Sequence, residues 1–393
     1  MTHRPPGSPI LCLDLGGTWF RSGLLDENDE LHPLTKTPAL SVRTHPQPPA
    51  VLQAMLVEHI VATATRARDA HGCTALAISL GAAINGRTGL VIGSAPLWGP
   101  GRHPLPLGQI LADRLPRLPV HVINDVSALA HTLRARRDHP PGTRKAAAVT
   151  VSSGIAYRTI DLDTAHIPLD QRHGLQGEIG HLPAPVRWRD RPLTAVCDCG
   201  GADHVSAFSS GRGIAELLRT LPEAAPFRTA AAPRATLAAF ARGVARGDPR
   251  AMALLDLFTL PLARVLLHQA TLDPEVSATY LFGGVVDGLG DPYLHSLLRN
   301  LNDLGLYEIS ATDETYFARR VLRGAADGLA GLKGAGLHLR DTQAGFHPRD
   351  PQADLHLRDT QAGLHLRDTQ ADLHLRHTQA GLHHRHPQAG RQP

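Results

Sequence analysis

Three times in this chain a short apolar strand runs directly into a turn of glycine or serine: ILCLDLGGT at 10–18, AAAVTVSSG at 146–154 and ATYLFGG at 278–284. Small residues at a strand end let backbone N–H groups approach a ligand that side chains would hold off. Around these turns the sequence alternates between strand and helix patterns. FRSGLLD at 20–26 is a second strand, 50–71 has helical periodicity, and ALAISLG at 75–81 is again a strand. VHVIND at 120–125 opens onto the helical stretch VSALAHTLRARR at 126–137. A second series begins near 146, with a long helix at 251–272, the strand ending in FGG and a closing helix near 324–332. Two consecutive strand–helix series predict an α/β fold of two lobes with a ligand cleft between them.

The turns offer chemistry as well as shape. In Asp14-Leu15-Gly16-Gly17-Thr18 the glycines suit a phosphate, the Thr18 hydroxyl adds a donor, and Asp14 can hold Mg²⁺ directly or through water. An ordinary β-hairpin turn has the same residues. Ser152-Ser153-Gly154 suits a second phosphate-facing turn, or equally a serine-rich strand edge. Gly283-Gly284 suits packing against a nucleotide base or ribose. Asn124-Asp125 stands at a strand end, where a carboxylate can accept the proton of an attacking hydroxyl. The alternative is that one of the pair caps the helix that starts near Val126.

Gly177-Glu178-Ile179-Gly180-His181 precedes Cys197-Asp198-Cys199, which is followed by His204. Two thiols two positions apart, an imidazole five positions on and another upstream make four donors of the kind tetrahedral Zn²⁺ prefers, and a closed set of four is structural. A reduced cysteine pair beside unrelated histidines is the alternative, since the chain has 24 histidines. Cys12 and Cys73 lie in apolar surroundings and read as buried free thiols.

Residues 337–393 repeat with period nine, from LHLRDTQAG through four further variants to LHHRHPQAG and a final RQP. Each copy has too few large apolar residues for a core, so disorder is expected, with weak metal binding at most from the histidines. The working protein is then about 8–336, divided at about residue 130 into lobes 8–130 and 131–336, and deletion of 337–393 is expected to leave activity nearly unchanged. A net charge of +4 over 393 residues, with no basic face interleaved with aromatics, argues against nucleic-acid binding. No run of about 18 apolar residues argues for a membrane span. The N-terminus lacks the regions of a signal peptide, so a cytoplasmic location is expected.

Taken in order, these pieces resemble the ROK family (Repressor, ORF, Kinase). The matching features are its DxGGT phosphate motif, Asn-Asp pair, second phosphate turn, ExGH motif, Cys-x-Cys zinc loop and late Gly-Gly turn, over about 8–336. The resemblance implies an actin-like, hexokinase-type pair of α/β lobes that binds ATP and Mg²⁺ in the cleft and closes on a small polyol, commonly as a homodimer or homotetramer. It makes Asp125 the catalytic base and sets Asn124 and Glu178 on substrate hydroxyls. His181 lies beside them as the first ligand of a structural Zn²⁺ that Cys197, Cys199 and His204 complete.

Three positions and one turn depart from the family pattern. His204 replaces a usual Cys, Ser206 an often sugar-gripping Glu and Pro96 a sugar-contacting Asn, and SSGIA stands for Gly-Thr-Gly-Ile-Gly. Sites that hydrogen-bond hydroxyls discriminate by them, so losing two such contacts implies a changed substrate. The reading favoured is a C7-cyclitol of the valiolone type, phosphorylated on its hydroxymethyl group in aminocyclitol antibiotic biosynthesis. The alternatives are a glucokinase or other hexokinase, and a sugar sensor without catalysis. A repressor is not expected, because its N-terminal helix-turn-helix has no room before DLGGT.

Overall fold

The first strand, β1 (Ile10–Leu15), is buried throughout except at Asp14, as suits a strand covered on both faces. The computed structural model describes residues 8–229, 233–324 and 328–343. After β1 come β2 (Trp19–Leu25), β3 (Leu31–Pro38), α1 (Pro49–His71), β4 (Ala75–Leu80), β5 (Ala83–Asn85), β6 (Leu90–Gly93), α2 (Ala95–Trp98), α3 (Leu107–Arg114), β7 (Val120–Asn124) and α4 (Asp125–Leu133). The second series runs β8 (Lys145–Val151), β9 (Ile155–Asp161), β10 (Val186–Trp188), β11 (Arg191–Leu193), α5 (Val205–Ser209), α6 (Gly211–Thr220), α7 (Pro233–Ala245) and α8 (Pro249–Leu272). It closes with β12 (Val276–Phe282), α9 (Gly284–Leu289), α10 (Asp291–Leu304), β13 (Val321–Arg323) and α11 (Ala330–Gln343).

Two mixed sheets result, ordered β3-β2-β1-β4-β7 and β13-β12-β8-β9. In the first, β1, β4 and β7 are parallel, and their register sets Leu15 beside Leu80 and Leu80 beside Asn124. Gly16, Gly81 and Asp125 therefore follow three neighbouring strand ends, the edge at which α/β sheets bind ligands. In the second, β8, β12 and β13 are parallel, with Thr150 beside Phe282. Leu52, Leu56, Ile60 and Ala64 of α1, with Leu107 and Leu111 of α3, cover one face of the first sheet. α8 and α10 contribute to the core on one face of the second. By length and composition α8 could cross a membrane, but 56% of its most apolar stretch is buried within the fold, where it serves as a core helix.

One helix packs against both sheets. Ala128 of α4 joins a cluster with Ile10, Cys12, Ala77 and Leu332, while Val126, Ala130 and Leu133 pack on Ala146, Ala148, Ala278 and Tyr280 of the second sheet. α4 ends at Leu133, earlier than the helical stretch 126–137 predicts.

The end of the fold departs from expectation. The closing helix spans Ala330–Gln343, later than 324–332, and residues 325–327 lie outside the described residues. The expected boundary at 336 falls inside α11, so residues 337–343 of the first repeat copy are not a disordered segment: LHLRDTQ forms the second half of this helix. Leu337 and Leu339 are buried beside β1 and β4. Asp341 accepts hydrogen bonds from Arg134 and, at 3.2 Å, from His131 of α4. Glycines give α11 its close approach. A Cβ at Gly334 would lie 1.7 Å from the Ala128 carbonyl oxygen, and one at Gly336 2.7 Å from Cys12 Sγ. Each interior glycine costs a helix about 1 kcal/mol against alanine, which this packing offsets. The rest of the repeat, 344–393, lies outside the described residues.

Candidate active site

Asp125 is the first residue of α4, and Asn124 is its N-cap. The Asn124 side-chain oxygen accepts from the Val126 and Ser127 amides at 2.9 and 3.3 Å, and its amide donates to the Ala82 carbonyl at 2.9 Å. The capping reading of the pair holds for Asn124, and Asp125 is presented from the first turn of the helix. With its oxygen committed, Asn124 can offer a substrate hydroxyl only its second amide hydrogen.

The surroundings of Asp125 are acidic. Gly81 separates it from the first turn, for a Cβ there would lie 3.6 Å from Asp125 Oδ2 and 3.7 Å from the Gly16 Cα. Burial, then the neighbouring charges of Asp14 and Glu178, push the Asp125 carboxyl up to about 7, with the Arg158 guanidinium and the Val126 amide opposing. Its two acidic neighbours each have a cation. Arg21 donates to Asp14 Oδ2 at 2.9 Å while Ser79 donates to Oδ1 at 3.1 Å. Arg158 donates to Glu178 Oε1 at 2.9 Å. Burial nevertheless raises Asp14, against the opposing effects of Arg21 and Ser79.

The first turn is a β-hairpin turn, as its plain reading allows, with the Gly16 amide donating to the Trp19 carbonyl at 3.2 Å. Thr18 is exposed. Arg43 donates to the Thr18 hydroxyl at 2.9 Å and to the Gly17 carbonyl at 3.1 Å, a cation at the turn that no sequence pattern signalled. Gly17 is held tightly by a neighbour, since a Cβ there would lie 2.5 Å from Pro96 Cβ. With both oxygens of Asp14 already accepting a hydrogen bond and a guanidinium beside it, the carboxylate suits an Mg²⁺ held through water.

The other turns assemble around the second sheet. Ser152, Ser153 and Gly154 link β8 to β9. The Ser152 carbonyl accepts from the Gly211 amide at the start of α6 at 2.7 Å, and a Cβ at Gly211 would also touch Val285 of α9 at 3.2 Å. Gly283 has φ 106° and faces the end of β8 so closely that a Cβ would lie 2.6 Å from the Val151 carbonyl oxygen, so only glycine fits. At Gly154 and Gly284 a Cβ would meet nothing within 4 Å, which leaves ligand approach as a reason for small residues. The N-terminus of α6, capped by Ser210, adjoins this turn, a neighbour legible only after folding.

His181, Cys197, Cys199 and His204 converge, with one ligand atom from each lying within 4.8 Å of all the others. Cys199 Sγ is 3.3 Å from His204 Nδ1, and Cys197 Sγ is 3.9 Å from His181 Nδ1. Tetrahedral zinc with Zn–N and Zn–S bonds of about 2.0–2.3 Å sets its ligands about 3.3–3.8 Å apart, so the donor set fits that ion. Ser206 lies behind the same loop, where a Cβ on Gly180 would be 2.3 Å from its Oγ.

The ROK family profile matches residues 10–332. The chain belongs to the ROK family. A 2-epi-5-epi-valiolone 7-kinase of Actinoplanes sp. is 37% identical to this ROK protein over 328 residues, 81% of this chain and 89% of the relative. A C(7)-cyclitol 7-kinase of Streptomyces hygroscopicus subsp. jinggangensis is 32% identical over 316 residues, 76% and 85% of the two chains. A ROK family glucokinase from Streptomyces griseus, solved with glucose and AMPPNP, superposes with a TM-score of 0.60 at 21% identity, covering 84% of this chain and 98% of its own. At that identity the likeness shows the fold, the actin-like α/β ATPase expected from the sequence.

Proposed function

We propose that this ROK protein is an ATP-dependent kinase that phosphorylates the hydroxymethyl group of a C7-cyclitol of the valiolone type. The observation that carries the reading is Asp125, a half-buried carboxylate beside the Gly16-Gly17 turn, in a chain 37% identical to a valiolone 7-kinase. Ionised Asp125 takes the proton of the substrate hydroxyl as its oxygen bonds to the γ-phosphorus and the bond to ADP breaks. Glu178, the remaining amide hydrogen of Asn124 and His181 orient the polyol. The first turn, with Arg43, and the Ser152–Gly154 turn face phosphates, while Gly283-Gly284 backs the nucleoside. Asp14 would hold Mg²⁺, which when bound would supply charge neutralisation for the transferred group. Pro96 and Ser206 support the changed substrate, for each abuts a site loop where the family pattern places a longer polar side chain.

Zn²⁺ bound by His181, Cys197, Cys199 and His204 would brace the loop that carries Glu178. We divide the lobes at about residue 130 and assign α11 to the first sheet. A cytoplasmic homodimer or homotetramer accords with the family resemblance.

An ADP-release assay with ATP and a panel of 2-epi-5-epi-valiolone, related cyclitols, D-glucose and D-mannose tests the reading. The expected result is highest kcat/KM with the cyclitol. A preference for D-glucose would make the protein a hexokinase, and ATP binding without turnover would make it a sensor.

A further inference from the structure

Arg158 is among the largest side chains sealed inside the described residues: it is 1% exposed, in the middle of β9. Long cations are rarely so buried unless paired. Its guanidinium is spread over three partners on three segments. Nε donates to Ser127 Oγ of α4 at 3.2 Å, one terminal nitrogen to the Tyr157 carbonyl at 2.8 Å, and the other to Glu178 Oε1 at 2.9 Å. Ser127 stands two residues after Asp125, in the same first turn. Arg158 therefore touches both the helix that presents the base and the carboxylate expected to read the substrate.

We infer that Arg158 is a positioning residue of the polyol site, acting through Glu178. The Glu178 side chain is 35% exposed and that of Arg158 2%, so the pair is a carboxylate at the surface of the site clamped from behind by a buried cation. Oε1 is committed to Arg158, and Oε2 has no hydrogen-bond partner among the described residues, leaving it to accept from a substrate hydroxyl. The backbone is pinned to match. The Tyr157 amide donates to the Gly177 carbonyl at 2.9 Å, and the Gln176 side chain exchanges hydrogen bonds with the amide and hydroxyl of Thr159 at 3.0 and 2.9 Å. Gly177 makes the contact possible: with φ 64° it lies so close that a Cβ would be 2.0 Å from the Tyr157 carbonyl oxygen. Three consecutive residues, 176–178, are thus tied to three consecutive residues of β9, 157–159. A hydroxyl-reading carboxylate held this rigidly discriminates among polyols by hydroxyl position, because a misplaced hydroxyl leaves Glu178 Oε2 without the hydrogen bond it is set to accept.

The inference rests on the kinase reading, and a double-mutant cycle on the full-length protein separates the two. Arg158→Met, Glu178→Gln and the double variant are assayed with 2-epi-5-epi-valiolone and D-glucose, recording kcat/KM for the polyol and KM for ATP. We expect Arg158→Met to lower polyol kcat/KM by about 30- to 100-fold, the scale of one hydrogen bond to a charged group, with KM for ATP changed less than about twofold. In the Glu178→Gln background the same change should cost less than about threefold, since its partner is already altered. An equal loss in both backgrounds would overturn the inference in favour of a merely structural cation, as would a loss of less than about twofold in the wild-type background. If Arg158→Met does not fold, Arg158→Lys takes its place in the cycle. An ammonium reaches one partner but cannot span three, so the same non-additivity is expected. Should the unaltered protein turn over no polyol, both readings fail; turnover with an additive cycle removes only the role of Arg158.

Discussion

In the proposed reaction Asp125 carries the central chemistry, and its environment sets two measurable consequences. Asp125→Asn keeps the acceptor that meets the Val126 amide at 3.0 Å and removes the base, so kcat should fall at least about a thousandfold with the fold intact. A variant retaining a tenth of the rate would contradict the assignment. The folded carboxyl titrates near 7, above its unfolded value of about 3.9. The charged form is therefore disfavoured by folding, and the cost is full above pH 7 and fades as pH falls towards 4. Asp125→Asn should accordingly raise Tm by a few degrees at pH 8 and by little at pH 4. For the unaltered protein, kcat/KM for the polyol should rise with pH through a limb near 7. The placing of Asp125 at a helix start was legible because strand end, Asn cap and carboxylate are contiguous in sequence. Arg158 and Gly81 were not legible. One is a single arginine in a strand and the other a single glycine, and only the sheet register and the 176–178 loop bring them to the site.

At the scale of elements the decisive piece is α11. A chain ending at Gln343 should retain wild-type activity and Tm. A chain ending at Gly336 loses two buried leucines, each worth roughly 1.5–3 kcal/mol, together with the Asp341 bridge to α4. That sum approaches the whole stability of an ordinary domain, so soluble expression should fail. Activity in the shorter chain, followed by ADP release, would show that α11 is dispensable. The Asp341 carboxyl adds a pH signature. Burial alone would raise it, but hydrogen bonds from His131 and Arg134 outweigh burial and hold it below its ordinary value. Its contribution is thus present above pH 4 and lost as pH falls below that. The repeat was misleading as sequence because period and composition describe the segment in isolation. The part of the first copy within α11 is held by what it packs on, for Leu337 and Leu339 cluster with Cys12 of β1 and Ala128 of α4, and Asp341 bonds His131 and Arg134.

For the whole molecule, the proposed reaction draws on the strand-end turns of two sheets and on a loop that carries Glu178 and the cysteine–histidine cluster. The four donors were readable from spacing, but their convergence within 4.8 Å needed the antiparallel contacts of Pro183 with His204 and of Val196 with Ala202. Purified protein should contain a single zinc ion per chain by elemental analysis. Cys199→Ser should lose it, lower Tm by several degrees and weaken polyol turnover more than ATP binding. Metal-free protein with unchanged Tm would remove zinc from the account. The most direct test of the account as a whole is the chemical identity of the product. After incubation with ATP and 2-epi-5-epi-valiolone, phosphorus–proton correlation NMR should place the new phosphate on the hydroxymethyl carbon, with one ADP released per phosphate transferred. A phosphate on a ring hydroxyl, or ADP released with no phosphorylated cyclitol, would contradict it.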